Sequence, residues 1–260
     1  MRRDILTDTL QNSIRRTDKQ VTDNYCITCL KIGDKYGAEY VNKLYDMVRQ
    51  QTDAPFYCFT DNFKDVNCQC IIQLDKNKDW DNWWAAWYKI YLFDSPYIRK
   101  YDRKIFFDLD TIIHGDIKPI LEYGMNSPRN NFALVRSKWR GASYQLANPH
   151  KSMFNSSVMV WKDNSHIYKK WMQDPQGYVA KYAGTDDFYH NEKIIRKPLP
   201  DIIYSYREGY EDQHKKWNDP TWLRMAPDYA VALLHQDPKP HTLDRNEHPI
   251  VDYWNGTTRV

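Results

Sequence analysis

The chain has 260 residues, of which 42% are hydrophobic, and a formal net charge of +3. This composition excludes disorder over most of the length and allows one substantial core, so we expect a single domain. The small net charge gives no strong signal for a nucleic-acid surface.

The first 20 residues, MRRDILTDTLQNSIRRTDKQ, are polar, and we predict a leader over 1–20 before one α/β domain over 21–260. They lack the apolar core and the small-residue cleavage site of a secretion signal. No stretch of the sequence reaches the roughly 18 apolar residues that a membrane-spanning helix needs. The odd number of cysteines, 5, favours a reducing compartment, with the cytoplasm as the default.

Two cysteine pairs, Cys26 with Cys29 and Cys68 with Cys70, invite a zinc interpretation. Cys26 and Cys29 lie in a predicted strand, where residues three apart point to opposite faces. A structural zinc site places paired cysteines on a tight turn instead. We therefore expect buried thiols.

Short apolar, β-prone runs alternate with helical patterns along the chain. The predicted strands are 25–30, 56–60, 70–74, 104–109, 131–135, 157–161 and 230–234. The predicted helices are 37–51, with apolar residues at helical spacing, then the Trp-rich segment 80–93, 166–172 and 186–194. This alternation indicates an α/β fold with a largely parallel central sheet flanked by helices. The polar segment 209–219 is predicted to be a surface excursion.

Polar groups follow several predicted strands at the point where each strand ends. They occur from Lys31 to Tyr36, at Thr60 and Asp61, from Asp108 to Asp110 and at His235. Ligands of open α/β sheets bind beyond the carboxyl ends of the strands. We therefore expect these segments to converge on a ligand site.

The acidic motif Asp108-Leu109-Asp110 comes at the end of an apolar strand. Two carboxylates one residue apart at such a turn can reach one hard cation. Mg²⁺ or Mn²⁺ accepts these oxygen ligands and keeps positions open for phosphates. A D-x-D pair is common by chance, but its place after a buried run favours a metal site.

The same motif also suits a second interpretation, a haloacid-dehalogenase-type phosphatase in which Asp108 attacks a phosphate. Asp186 and Asp187 would then be the later acidic pair of that family. Its acidic motif belongs to the first strand of the domain, whereas about four elements precede the motif in this chain. We rank the phosphatase second.

Further motifs stand before and after the acidic one in a set order. They are Lys89-Ile90-Tyr91-Leu92-Phe93, Phe154-Asn155-Ser156-Ser157-Val158, Gly184-Thr185-Asp186-Asp187 and His235-Gln236-Asp237-Pro238-Lys239-Pro240. In this order, over nearly the whole chain, they resemble the glycogenin and bacterial galactosyltransferase family. The resemblance implies a GT-A fold and transfer of a hexose with retention from a nucleotide sugar, UDP-glucose or UDP-galactose.

The resemblance also implies roles for individual residues. Asp108, Asp110 and His235 would ligate Mn²⁺ (or Mg²⁺), and a neutral imidazole suits that ion. Asp186 and Asp187 would form the catalytic pair, with Asp186 also bonded to sugar hydroxyls. The residues implied to bind the donor are Lys31, Tyr36 beside the base, Lys89, Leu109 through its backbone, Asn155, Ser156 and Lys239 at the diphosphate.

Two departures from the family pattern have consequences. The interval from His235 to Lys239 is short, and the family's glycine is replaced near Asp237 and Pro238, which changes the phosphate contacts. The family's glutamine is Asp187 here, and a carboxylate near the anomeric carbon can act as a nucleophile. We favour front-side transfer, in which the departing phosphate takes the acceptor's proton, and keep the Asp187 nucleophile as an alternative.

A non-enzymatic alternative is a glycan-binding module on an aromatic surface formed by Trp80, Trp83, Trp84 and Trp87. The sequence leaves the acceptor open among glycans, lipid-linked sugars, proteins and nucleic-acid bases. It does not fix the oligomeric state or the pathway.

Overall fold

The computed structural model describes residues 24–74, 84–209 and 228–258. The predicted leader over 1–20, Trp80, Trp83 and most of the segment 209–219 lie outside these residues. Ten strands occur within the described part: β1 (Tyr25–Lys31), β2 (Phe56–Thr60), β3 (Cys70–Gln73), β4 (Arg103–Phe107), β5 (Thr111–Ile113), β6 (Phe132–Arg136), β7 (Phe154–Trp161), β8 (Lys197–Pro198), β9 (Ile203–Ser205) and β10 (Val231–Leu233).

The described helices are α1 (Ala38–Arg49), α2 (Lys118–Leu121), α3 (Ala142–Ala147), α4 (Ser165–Trp171), α5 (Pro175–Lys181), α6 (Thr185–Asn191) and α7 (Ile250–Trp254). Two 3-10 helices, Ala85–Asp94 and Pro240–Thr242, complete the described elements. The first of these corrects the helix predicted over 80–93. Its side chains are buried nearly all round, because it lies between the sheet and other helices, so no amphipathic period marks its ends.

Seven strands of the described residues form the main sheet, in the order β3-β2-β1-β4-β7-β6-β8. β7 is antiparallel to both of its neighbours, and the remaining pairs are parallel. The predicted mixed, mostly parallel α/β sheet is thus confirmed. The sequence did not indicate the second sheet, β5-β10-β9, in which Thr111 pairs with Leu233 from a distant part of the chain.

Hydrophobic cores lie on both faces of the main sheet, as alternation along β1 requires. Ile27 and Cys29 pack on one side with α1, β5 and β10. Cys26 packs on the other side with the 3-10 helix 85–94, α4 and α6. All five cysteines are free thiols, and Cys26 and Cys29 point to opposite faces as predicted.

The small sheet positions the acidic motif, because it continues the chain directly after β4. The backbone N–H of Leu234 donates to the carbonyl of Asp110 at 3.0 Å, which ties the end of β10 to the motif. His235 therefore follows β10 at the same edge where β1 and β4 end. Among the described residues, no helix has the length and apolar content to cross a bilayer.

Candidate active site

A cavity of about 430 Å³ opens at the carboxyl end of β1 and β4, within the usual range for small-molecule sites. It brings together residues from segments that are far apart in the sequence. Of the predicted site residues, those that line it are Tyr36, Lys89, Asp108, Leu109, Asp110, Asn155, Ser156, Asp186, Asp187 and His235.

Asp108 is held by a lysine that approaches from the 3-10 helix. The ammonium of Lys89 lies 2.8 Å from each carboxylate oxygen of Asp108 and donates to the carbonyl of Ser156 at 3.1 Å. The backbone N–H of Asp108 donates to the carbonyl of Ser157 at 2.7 Å, which fixes the strand end. Burial raises the pKa of Asp108, while the charge of Lys89 opposes the shift.

Asp110 is the more deeply enclosed carboxylate of the motif. The ammonium of Lys239 lies 2.5 Å from its Oδ2 and also donates to the carbonyl of Leu234 at 2.8 Å. The hydroxyl of Tyr36 donates to the same oxygen at 2.7 Å. Tyr36 was expected beside the base, and here its hydroxyl is directed at the acidic motif. The short interval after His235 still brings Lys239 to Asp110, through a turn in which Gln236 has φ 61°.

His235 lines the cavity and lies against an aromatic ring. Its Nε2 is 2.8 Å from the hydroxyl of Ser205, and its ring stacks on Trp139 with centroids 5.7 Å apart. Burial lowers the pKa of His235 to about 4, against the opposing charge of Asp110. The imidazole is therefore neutral near pH 7, which is the form that binds metals.

The three predicted metal ligands share this cavity, and their chemistry suits Mn²⁺ or Mg²⁺. Their spacing does not form a finished site, since no group of three His, Cys, Asp or Glu side chains in the described segments is close enough to hold a metal. Both carboxylates are instead neutralised by lysines, Asp108 by Lys89 and Asp110 by Lys239. The two carboxylates and the imidazole suit the ion chemically. In this structure, Lys89 and Lys239 contact the carboxylate oxygens instead.

The segment that begins β7 meets the start of α6 beside Lys89. The backbone N–H of Ser156 donates to Asp186 at 3.0 Å, and the hydroxyl of Ser156 lies 3.3 Å from that of Thr185. Asn155 accepts the N–H of Ser157 at 2.9 Å, so its side-chain oxygen shapes the turn. Burial raises the pKa of Asp186, and the hydrogen bonds from Ser156 oppose this.

Both carboxylate oxygens of Asp187 have partners. Lys151 lies 2.8 Å from Oδ2, and the backbone N–H of Ser152 donates to Oδ1 at 3.1 Å. Lys151 and Ser152 belong to the segment between β6 and β7 that carries α3. Asp187 therefore fastens this segment to α6.

Lys31 and the polar end of β2 do not line the cavity, although Tyr36 from the loop after β1 does. Lys31 ends β1 as a buried side chain and does not line the cavity. Asp61 follows β2 and accepts the N–H of Gly33 at 3.0 and 3.2 Å, so it supports the loop after β1.

Sequence reasoning missed the wall formed by the segment between β6 and β7. Arg140, Tyr144 and Lys151 line the cavity there, and Trp139 reaches His235. The helix α3 in this segment has no buried residue, so it carries no apolar period that marks a site. These contacts depend on tertiary packing alone.

The aromatic surface proposed for a glycan-binding module is not formed as expected in the described residues. Trp84 is exposed and lines the cavity. Trp87 is 2% exposed and stacks on Trp171, with ring centroids 4.8 Å apart. Trp87 is thus part of the core, because the 3-10 helix turns it toward α4.

No protein-family model matches this chain, and no curated protein sequence matches it. Solved structures do share its fold. The glycosyltransferase GlyE of Streptococcus pneumoniae TIGR4 aligns with a TM-score of 0.59 at 14% identity, over 89% of this chain and 60% of GlyE. The galactosyltransferase LgtC, solved in complex with donor and acceptor sugar analogs, aligns with a TM-score of 0.59 at 12% identity, over 90% of this chain and 96% of LgtC.

The bifunctional glycosyltransferase WbbM aligns with a TM-score of 0.58 at 12% identity, over 89% of this chain and 50% of WbbM. This chain thus spans only part of GlyE and WbbM but nearly all of LgtC. Because the sequence identity is so low, the structural likeness establishes the GT-A fold alone.

Proposed function

We propose that this chain is a metal-dependent glycosyltransferase that moves a hexose from UDP-glucose or UDP-galactose to an acceptor, with retention. The observation that carries the proposal is the meeting of Asp108, Asp110 and His235 in one cavity at the carboxyl edge of a GT-A sheet. Lys239 reaches Asp110 from a remote segment. The fold itself does not require these residues to meet, because a strand can end without them.

The cavity offers groups for each part of a nucleotide-sugar donor. Asp108, Asp110 and His235 would hold Mn²⁺ or Mg²⁺, and Lys239 would turn from Asp110 to the diphosphate as a compact positive charge. Leu109 would meet the ribose through its backbone. Asn155, Ser156 and Asp186 also line the cavity and would form hydrogen bonds with the hydroxyls of the transferred sugar.

In the proposed reaction, an acceptor hydroxyl oxygen forms a bond to the anomeric carbon while the bond from that carbon to the phosphate oxygen breaks. The departing phosphate oxygen takes the proton of the acceptor hydroxyl. Asp108, Asp110 and His235 would hold a divalent ion, which would supply counter-charge to the diphosphate. Lys89 and Lys239 add fixed positive charge at the same edge, in a partly enclosed cavity where charges interact strongly.

Front-side transfer is better supported than a covalent route through Asp187. A nucleophilic carboxylate needs an oxygen free to reach the anomeric carbon. Both oxygens of Asp187 are engaged, one by Lys151 and the other by the N–H of Ser152.

The phosphatase alternative has less support. In that family the attacking Asp follows the first strand of the domain. Asp108 instead follows the fourth of the described strands, at the centre of a GT-A sheet. We further propose a reducing compartment such as the cytoplasm, supported by five free thiols.

A thermal-shift screen tests the proposal directly, since a ligand that binds the native state raises its melting temperature. UDP, UDP-glucose and UDP-galactose should each raise it in MnCl₂, and less in EDTA. Slow hydrolysis of the matching donor should accompany binding. Release of phosphate from an aryl phosphate, without any response to nucleotides, would favour the phosphatase instead.

A further inference from the structure

Two basic side chains of the cavity wall, Arg140 and Lys35, form no ion pair among the described residues, and of these Lys35 is exposed whereas Arg140 is partly buried. Lys89 forms an ion pair with Asp108, and Lys151 forms one with Asp187. No carboxylate of the described residues lies within ion-pair distance of the Arg140 guanidinium. Its described contacts are a hydrogen bond from Nη1 to the carbonyl of Ser152 at 2.8 Å and the ring of Tyr144, 5.6 Å away.

The contacts of the neighbouring residues fix where Arg140 lies. Trp139, the preceding residue, stacks on the ring of His235. Ser152, which accepts the hydrogen bond from Arg140, donates its own N–H to Asp187 at 3.1 Å. Arg140 is therefore positioned between the wall that carries His235 and the wall that carries α6.

Electrostatics agrees with this placement. The positive charge of Arg140 lies close enough to act on His235, whose ring stacks on the neighbouring Trp139. Burial raises the pKa of Asp186, and Arg140 is among the charges that oppose it. The guanidinium thus acts on both groups at once.

We infer that Arg140 binds the terminal phosphate of the nucleoside diphosphate, the group bonded to the sugar. This inference rests on the proposed function, in which His235 lies on the phosphate side and Asp186 on the sugar side. A planar guanidinium with several N–H donors suits phosphate oxygens. Arg140 is also partly buried and already oriented by Ser152, so little freedom is lost when it binds.

The test compares UDP with UMP, which lacks the terminal phosphate. Both are titrated calorimetrically in MnCl₂ into the wild type, Arg140→Gln and Arg140→Lys. Loss of one charged hydrogen-bonding group should weaken UDP binding by roughly ten- to a hundredfold in Arg140→Gln. UMP affinity should stay unchanged, which also shows that the variant is folded, and Arg140→Lys should recover part of the loss.

Arg136→Gln is the matched control, because Arg136 is exposed on β6 outside the cavity. Its UDP affinity should equal that of the wild type. The inference is overturned if Arg140→Gln binds UDP as the wild type does, or if UMP and UDP weaken equally. If the wild type binds neither nucleotide, the proposed function itself is refuted. That outcome is distinct from a wild type that binds UDP and an Arg140→Gln variant that binds it equally well, which refutes only the role of Arg140.

Discussion

The ammonium group of Lys239 lies 2.5 Å from a carboxylate oxygen of Asp110, a residue 129 positions earlier in the chain. Both side chains are at most 10% exposed. Lys239 therefore supplies the counter-charge of Asp110 in this structure, as Lys89 does for Asp108. In the proposed enzyme it must yield Asp110 to the metal and move to the diphosphate.

Replacing Lys239 with Met should destabilise the metal-free protein. Removing one partner of a buried ion pair leaves the other charge unpaired, at a cost of about 3 kcal/mol. Chemical denaturation in EDTA measures the free energy of unfolding. Lys138→Met is the control, because the Lys138–Asp201 pair is exposed and should contribute less than about 1 kcal/mol. Equal losses in the two variants would contradict the role of Lys239, and MnCl₂ should restore part of the loss in Lys239→Met.

Replacing Asp187 with Asn should leave donor hydrolysis within about tenfold of the wild-type rate, a barrier change of about 1.4 kcal/mol. Asn retains an oxygen for the N–H of Ser152 and loses only the ion pair with Lys151, which is partly exposed. Hydrolysis of UDP-glucose and UDP-galactose is measured beside Lys151→Gln, which breaks the same pair from the other side. A sugar adduct on Asp187, seen by mass spectrometry, together with an inactive Asp187→Asn, would establish the covalent route.

Stability should depend on pH through His114, which is 7% exposed and has a buried Nε2 without a hydrogen bond in the described structure. Burial lowers its pKa from 6.5 to about 4. Between these values the unfolded chain binds a proton that the folded chain does not, so stability falls as the pH drops from about 6.5 to 4. The full effect is about 3 kcal/mol.

His114→Phe keeps an aromatic ring beside Tyr204 and Tyr253 and removes the titration. Denaturation of both proteins at pH 7 and pH 4.5 gives the difference. The wild type should lose more stability than the variant over this range. The same pH dependence in both proteins would show that His114 does not titrate as described.

Much of the fold follows from local patterns. β1, β2 and β4 are compact apolar runs between polar residues, and the buried stripe of α1, including Tyr40, Leu44 and Val48, has a clear helical period. β5 has only three residues, and its pairing with β10 joins distant segments, so no local pattern could reveal the second sheet.

The site divides in the same way. Asp108 and Asp110 could be found because their strand is apolar and ends at them. Arg140 and Lys151 could not, since their segment is mostly exposed and their contacts with Ser152 and Asp187 form only in the folded chain. We expected Tyr36 beside the base and did not predict its hydrogen bond to Asp110, because no spacing in the sequence encodes that contact.

The most direct test of the central claim is the affinity for UDP with and without a divalent ion. Calorimetry in MnCl₂ and in EDTA is applied to the wild type, to Asp110→Asn and to Asp116→Asn, an exposed control on the same segment. The account predicts that UDP binds at least about tenfold more tightly with Mn²⁺. Only Asp110→Asn should lose that difference. Equal affinity of the wild type in MnCl₂ and EDTA would contradict the account.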